Sequence, residues 1–533
     1  MMELQGINFT RLIYDACQRH PERLALAITQ VQEGELRSQE HCSYKQLAER
    51  IGSVVAGFQR LGLQSGDRVL VLMRVQIDLY VLVIALMALG AIPVLIDRGM
   101  SRKRMMSALR SSKAQWLIGT LDIVRHWWKI PALWSLRRFA IDGKTLGVGR
   151  MDVPVSAKWS IPKEFAGDAH GLISFTSGST GAPKGADRTH SSLLAQHHAL
   201  RAHWPDVDED RDSTCFPVMV LHQLCCGIST ILPAMDLSRP AFCVPELLYH
   251  QFESERISRF SAAPACLQTL VEWASNQHVQ FRSIRALAIG GSTISVRLAE
   301  KLLLVFPEAA ITCVYGSTEA EPIASIALAD FLEHAQEDRG YLLGYPAACA
   351  ELCISAAGAN FDDEQDLLNA RCPVGGEGEI WVKGPHVLKA YVDQPEATRL
   401  SKIISKDGHV WHRTGDVGFM DHHHRLWMVG RYWDRLQWQD QVVWPFVVEK
   451  QIDLLDGVRR SALVAVGADW VLALECQNGI PDSVRDVLIA MQLPVPVILV
   501  AMTIPVDGRH QSKIDRESLK QILSKKRAGN DGP

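Results

Sequence analysis

The strongest chemical signal is a run of small and hydroxylated residues, Thr176-Ser177-Gly178-Ser179-Thr180-Gly181-Ala182-Pro183-Lys184-Gly185, directly after an apolar stretch at 172–175. The glycines let the backbone turn so that several N–H groups converge. The hydroxyls add donors, and Lys184 adds positive charge. Together these make a cradle for a polyphosphate. The run is not a Walker-type loop, because Pro183 precedes Lys184 and no Ser or Thr follows the lysine. Taken alone, it reads equally well as a Ser/Gly-rich surface loop.

Four further segments follow it. Tyr315-Gly316-Ser317-Thr318-Glu319 offers an aromatic face for a purine, hydroxyls, and a carboxylate suited to Mg²⁺. Gly290-Gly291-Ser292 ends another apolar run, where backbone can approach a flat base closely. Thr414-Gly415-Asp416 places a carboxylate where it can take both hydroxyls of a ribose, and Arg431 follows shortly. Lys513 sits near the C-terminus in Arg509-His-Gln-Ser-Lys-Ile-Asp-Arg516. Singly, each is commonly a turn or a solvated charge. Their occurrence together, in this order, points to nucleotide chemistry.

Such residues need elements to position them. Apolar runs at 171–175, 284–289 and 311–315 are each followed by glycine or a helix-like segment, which predicts parallel strands covered by helices. Ligands of such sheets collect in the loops beyond the carboxyl ends of the strands, where these motifs lie. Ser43 and Gln46 form a capping box before a helix carrying Leu47, Ile51, Val54, Phe58 and Leu61 on one face. Residues 79–96 are long and apolar enough to suggest a membrane span. Gly90 and Pro93 instead predict a helix ending near Leu89 and a buried strand over 92–96, after another strand over 69–73. From about 340 to 430 the pattern changes to short strands and turns. After Gly430 it becomes a compact α/β section, with strands over 461–466, 471–475 and 497–501 and a helix near 481–491. This predicts a large N-terminal domain at 1–429 and a small C-terminal one at 430–533.

Composition narrows the partners. With 47% apolar and 22% charged residues and a formal net charge of −3, the chain has no basic excess for nucleic acid or an anionic membrane. Twelve cysteines show no C-x-x-C or Cys/His ligand spacing, which predicts reduced thiols in a cytoplasmic protein. The N-terminus lacks a basic segment followed by an apolar core, so no signal peptide is read. His422-His423-His424 invites a metal site, but three successive imidazoles diverge on any regular backbone, and a hydrated hairpin turn is expected.

FTSGSTGAPKG, YGSTE, GEIWVKG, RTGDVGFMD, GR…DRL and the terminal lysine segment resemble, in order and spacing, the core motifs of the acyl-CoA synthetase, peptide-synthetase adenylation and luciferase superfamily. The resemblance covers roughly residues 170–520. It implies an α/β fold with two parallel-type sheets flanked by helices, a small β-barrel-like part and a small mobile C-terminal lid. It also implies ATP and Mg²⁺, with Tyr315 stacking on adenine, Asp416 on ribose, and Arg431 on ribose or phosphate. Thr180 and Glu319 would serve the metal, and Lys513 would reach the α-phosphate and acyl oxygens.

The second half-reaction is where the chain departs from that pattern. Trp433 stands at the usual polar hinge position, Gln437 replaces a lysine, and Asp440 replaces a glycine beside which thioester-forming relatives pass pantetheine. A carboxylate there would crowd and repel CoA, which is therefore the disfavoured acceptor. Cys215 to His222, Ile231 to Asp236, Val410 to Asp416, Arg459 to Val464 and Pro505 to His510 resemble the β-lactone synthetases of the bacterial long-chain olefin pathway. Those enzymes adenylate a β-hydroxy acid and let its own hydroxyl displace AMP. His222 is the candidate for drawing the hydroxyl proton, or equally a residue of the pocket packing. The implied partner is a hydrophobic carboxylic acid, delivered free, by an acyl carrier protein or by pathway enzymes. An acyl- or aryl-CoA ligase, an amide-forming ligase and a non-catalytic binding relative are the alternatives. Lys513, Glu319 and Asp416 together argue against the last.

Overall fold

The computed structural model describes residues 6–32, 35–97, 99–176, 183–337, 340–506 and 513–530. Among them, the strands form sheets of fourteen, seven, three and two strands. The seven-stranded sheet runs Gly149–Arg150, Arg137–Ala140, Trp116–Gly119, Arg68–Leu72, Ile92–Ile96, His170–Thr176, Lys184–Thr189. All neighbours are parallel except the last pair, an antiparallel hairpin that pairs Thr176 with Lys184. The phosphate-loop segment is thus held at its two ends by one hairpin.

The apolar stretch at 79–96 divides as its Gly and Pro require. Helix Ile77–Leu89 is buried on every side, not along one stripe. It ends at Gly90 with φ +76°, a left-handed cap that only glycine adopts without strain, and strand Ile92–Ile96 follows. No helix among the described residues is long and apolar enough to cross a membrane. In the helix Tyr44–Arg60, both halves of the Ser43–Gln46 capping box are made, a contact worth about 1 kcal/mol. Leu47, Ile51 and Phe58 of that helix are fully buried.

The large sheet has a parallel centre and antiparallel flanks. Ala310–Ser317, Ala286–Ile289, Arg259–Ala262, Arg211–Thr214, Ser229–Leu232 and Leu24–Gln32 are parallel neighbours. Ala320–Ala327 and Tyr341–Pro346 then continue the sheet antiparallel into Leu426–Arg431, Val410–Met420, Gly378–Lys383 and Glu351–Ser355. The expected barrel-like part is therefore hydrogen-bonded to the second parallel sheet. This continuity fixes the strand bearing Tyr315 against those bearing Asp416 and Arg431.

The C-terminal part packs Val458–Val466, Asp469–Cys476 and Val497–Ala501 in one sheet. Helices Pro445–Asp453, Ser483–Ala490 and Arg516–Asn530 accompany it. Its two apolar clusters draw only on residues between Leu436 and Leu523. Arg516 holds Glu449 through two bonds of 2.8 and 2.7 Å, and its Nε lies 3.3 Å from Asp434.

Candidate active site

The parallel strand Ala310–Ser317 carries Tyr315 to the sheet's carboxyl end. There the Tyr315 hydroxyl donates to Asp416 Oδ2 at 2.7 Å. Asp416 and Arg431 are direct cross-strand partners, with Arg431 Nε 3.2 Å from Asp416 Oδ1. Gly415, at φ +77°, turns the strand just before the carboxylate, and Thr414 Oγ1 accepts from the Asp416 N–H at 3.1 Å. Burial, then Asp416, pushes the Tyr315 phenol well above its usual range, so it stays a donor. Asp416 raises the Arg431 guanidinium further, so the cation is permanent. Three residues far apart in sequence form one bonded group whose aromatic face and carboxylate suit a nucleoside.

Glu319 lies beyond the same strand, and a second group surrounds it. Its Oε1 accepts from the Tyr391 hydroxyl at 2.7 Å, and its carbonyl accepts from the Leu388 N–H at 2.8 Å. Tyr391 is buried, with Lys184 Nζ 4.8 Å and Lys402 Nζ 5.7 Å from its ring centre. Burial alone would raise the Glu319 carboxyl, but His412, Lys402 and the Tyr391 hydroxyl outweigh it and hold the group at about 2. Burial first, then Lys402, pushes His412 down to about 3, so it is neutral at neutral pH. Lys402 is therefore the cation that balances Glu319. Burial lowers Lys402 to about 7 against the pull of Glu319. Its Nζ is buried and has no hydrogen-bond acceptor among the described residues.

Tyr391, Lys402 and His412 stand in no motif that assigns them a role. A lysine opening the otherwise apolar strand Lys402–Ile404 is the signal that could have flagged Lys402. Gly291 has φ +91°, whereas a Cβ at Gly290 would meet only the Val314 carbonyl at 3.5 Å, an ordinary contact. Within the protein, then, Gly291 is needed for its conformation and Gly290 is not. Ser292 Oγ is buried without a partner among the described residues. Ser317 Oγ accepts from the Glu319 N–H at 3.3 Å, and a Cβ at Gly316 would press on Glu321 Cγ at 3.0 Å. Ser177, Gly178, Ser179, Thr180 and Gly181 lie outside the described residues, so the phosphate loop is represented by its flanks, Thr176 and Lys184.

The remaining expected residues lie elsewhere. Lys513 is exposed, between strand Val497–Ala501 and helix Arg516–Asn530. His222 is buried in helix Met219–Cys226, bonded to His197 at 3.0 Å. Asp440 is exposed in the turn between strands Leu436–Trp438 and Gln441–Val443, after Gln439 at φ +51°. His422, His423 and His424 form the exposed turn between strands Val410–Met420 and Leu426–Arg431, with the His423 N–H donating to Asp421. This is the expected hairpin.

The chain has relatives along most of its length. The chain is 30% identical to an olefin β-lactone synthetase from Stenotrophomonas maltophilia over 506 residues, covering 89% of this chain and 90% of the relative. It is likewise 30% identical to one from Xanthomonas campestris pv. campestris over 509 residues, covering 90% of each. Among solved structures, the amide bond synthetase from Marinactinospora thermotolerans superposes with a TM-score of 0.78 at 20% identity, covering 97% of this chain and 99% of that one. O-succinylbenzoate coenzyme A synthetase from Bacillus subtilis, solved with ATP and magnesium ion, gives 0.75 at 20% identity, covering 96% and 99%. The sequence pattern of the AMP-binding enzymes matches residues 13–392. With the nucleoside-shaped Tyr315–Asp416–Arg431 group inside a fold shared over nearly its whole length, the chain belongs to the AMP-binding enzyme family and is an ATP-dependent, AMP-forming ligase.

Proposed function

We propose that the protein activates a β-hydroxy fatty acid as its acyl-adenylate and closes it to a β-lactone. The observation that carries this reading is the 30% identity to olefin β-lactone synthetases along nine-tenths of the chain. The nucleotide group supports the first half. Asp416 would accept the ribose hydroxyls, Tyr315 would cover adenine, and Arg431 would hold ribose or phosphate. The flanks of the phosphate loop and Lys184 would cradle the polyphosphate, with Thr180 and Glu319 as the metal ligands. Glu319 fits that role, since its neighbours keep it ionised. Mg²⁺ there would neutralise charge on the departing pyrophosphate.

The substrate carboxylate is already ionised, so its oxygen attacks the α-phosphorus without a general base, and pyrophosphate leaves. Lys513 would neutralise charge on the α-phosphate and the acyl oxygen. In the second half, the β-hydroxyl oxygen attacks the acyl carbon, the bond to AMP breaks, and the hydroxyl proton passes to a base. His222 was the candidate for that base; burial lowers it to about 3, so it would accept a proton only weakly. The intramolecular hydroxyl has a large effective molarity, which offsets the ring strain.

Mass spectrometry of products from a panel of β-hydroxy fatty acids with ATP and Mg²⁺, with and without CoA, tests this. A CoA-independent product lighter than the acid by one water, formed in step with AMP, supports it. A thioester or an amide formed only with CoA or an added amine overturns it in favour of a ligase with an external acceptor.

A further inference from the structure

Helices His190–His203 and Met219–Cys226 enclose three metal-ligating side chains that the nucleotide group does not use. His197 Nδ1 and His222 Nδ1 are 3.0 Å apart, and Cys226 Sγ lies 3.7 Å from His222 Nε2. One ligand atom from each of the three lies within 4.8 Å of the other two, and all three residues are buried. His222 and Cys226 stand four residues apart, on one helix face. His197 meets them from the facing helix. His222 and Cys226 are already an i, i+4 pair in the sequence, and only the third ligand, 25 residues upstream of His222, is brought in by the fold.

The chemical state of the trio suits a metal. Burial pushes His197 to about 4 and His222 to about 3, so both imidazoles are neutral and keep a lone pair for coordination. Burial, then Asp206, raises the Cys226 thiol to about 12, so a metal would have to displace its proton. Asp206, hydrogen-bonded to Cys226, also sits 3.4 Å from Arg201. A cavity of about 20 Å³, the scale of one water, lies beside His197 and His222, bounded by Phe9, Leu193 and Val218. In a tetrahedral site with bonds of about 2.0–2.1 Å to nitrogen and about 2.3 Å to sulfur, ligand atoms stand roughly 3.3–3.6 Å apart. With one atom per residue, the His197–His222 spacing of 3.0 Å falls just below that range and the group's outer limit of 4.8 Å lies above it. His222 can offer only one nitrogen, so its ring must shift toward the partner it leaves.

We propose that His197, His222 and Cys226 form a structural transition-metal site that takes Zn²⁺, with the Asp206 carboxylate beside the group as a counter-charge. On binding, the Cys226 S–H bond breaks, its proton goes to solvent and a Zn–S bond forms, with no change of oxidation state. The Cys226 thiolate, with the Asp206 carboxylate acting on it from beside the group, balances the 2+ charge, which a buried site requires. Nitrogen and sulfur ligands select Zn²⁺ over Mg²⁺, so this centre is chemically separate from the metal used in adenylation. Its effect would be to tie the helix that follows the phosphate-loop hairpin to its neighbour.

The test uses the full chain, stripped with a chelator and dialysed. It is titrated with Co²⁺ by absorbance and with Zn²⁺ against a chromophoric competitor. The expected result is one equivalent bound, a thiolate-to-cobalt band in the near ultraviolet, and a rise in Tm with Zn²⁺. Cys226→Ser should abolish the band, and His197→Gln, which can keep a hydrogen bond to His222, should weaken Zn²⁺ binding beyond the about 10- to 100-fold typical of losing an outer-shell partner. His423→Ala, in the exposed triple-histidine turn, should change neither. Absence of the cobalt band in the wild type overturns the proposal, as does a band that survives in Cys226→Ser. Should Cys226→Ser fail to fold, the His197→Gln affinity decides alone, and an unchanged affinity overturns the proposal.

Discussion

The two parts that carry the chemistry are built differently. In the large part, Tyr315, Asp416 and Arg431 are bonded to one another before any ligand arrives, and Glu319 is held by Tyr391. In the C-terminal part, Lys513 and Asp440 are exposed, while the charges that are locked in place, Arg516 and Glu449, are structural. The groups proposed to recognise a nucleotide are preorganised on strands of a continuous sheet. The group expected to act in the transition state is carried on a unit with its own core. That unit meets the large part through Trp444, Phe446 and Val447, packed against its apolar clusters, and through polar anchors. Lys450 Nζ donates to the Ala335 and Gly340 carbonyls at 2.7 and 2.5 Å, and Arg297 reaches Asp456 at 2.5 Å. Binding and rate should therefore separate between the two parts.

The sharpest separation is expected at Lys513. Lys513→Ala should slow adenylation about 100- to 1000-fold, the effect of removing one preorganised charge contact. ATP affinity should stay nearly constant, because the nucleoside contacts lie on the other part. Single-turnover adenylate formation alongside calorimetric ATP binding measures both. An equal loss in the two would erase the distinction.

Asp416→Ala should do the reverse. Charge-assisted hydrogen bonds contribute about 1.5–3 kcal/mol each, so ATP binding should weaken on the order of 10- to 100-fold. Arg431 also loses its partner, but it is one-third exposed, so solvent limits the penalty to the fold. Isothermal titration with ATP reads the first effect, and urea denaturation reads the second.

Lys402→Met probes the other half of the large part. A buried Lys402 Nζ with no acceptor among the described residues is a strained arrangement unless a ligand supplies one. Methionine preserves length and apolar packing but leaves Glu319 without the cation that balances it, so the ATP-free protein should lose about 3 kcal/mol of stability. Affinity for ATP should fall about tenfold, the scale of one charge-assisted contact. A large loss of stability with unchanged ATP affinity would mean that Lys402 serves Glu319 and the fold alone.

Legibility in the sequence divides along physical lines. The 79–96 segment resolved correctly, because Gly90 and Pro93 forbid a continuous helix and the structure shows the helix, cap and strand they demand. Asp416 and Arg431 were each visible as motif residues, but their pairing depends on register across two strands, which no local pattern encodes. Lys402 and His412 were missed because their meaning comes from burial beside Glu319, 83 and 93 residues away in the chain. The His197–Cys226 trio escaped for the same reason: its third member arrives from a different helix. His222, read from the sequence either as a base near the acyl group or as pocket packing, is bonded to His197, and the hydrophobic residues that flank it do not distinguish the two readings.

A pH test isolates the C-terminal part. Burial raises the Asp453 carboxyl from its ordinary value of 3.8 to about 7, despite hydrogen bonding to Ser461. Between those values the folded protein keeps a proton that the unfolded chain has lost, so this group's contribution to stability falls as pH rises from about 4 to about 7. Asp453→Asn removes that dependence. It should leave stability unchanged near pH 4 and raise it by about 1–2 kcal/mol above pH 7, without altering ATP affinity. Urea unfolding at the two pH values measures this, and an equal effect at both would show that packing, not ionisation, governs the site.

The smallest effect is expected at Asp440. Its side chain is exposed in the turn after Gln439, so Asp440→Gly should disturb neither the hairpin nor the CoA-independent product, whose rate should stay within about twofold. The exposed carboxylate repels a CoA phosphate at 4 Å by only about 1 kcal/mol in water, roughly a fivefold effect on binding. Charge alone is therefore too weak to exclude CoA, and if Asp440 is the barrier it must act by crowding. The same variant assayed with CoA separates the two cases. No thioester would mean that the exclusion is spread over the lid, including Trp433 and Gln437. A thioester appearing with this one change would place the choice between an internal hydroxyl and an external thiol in a single exposed side chain.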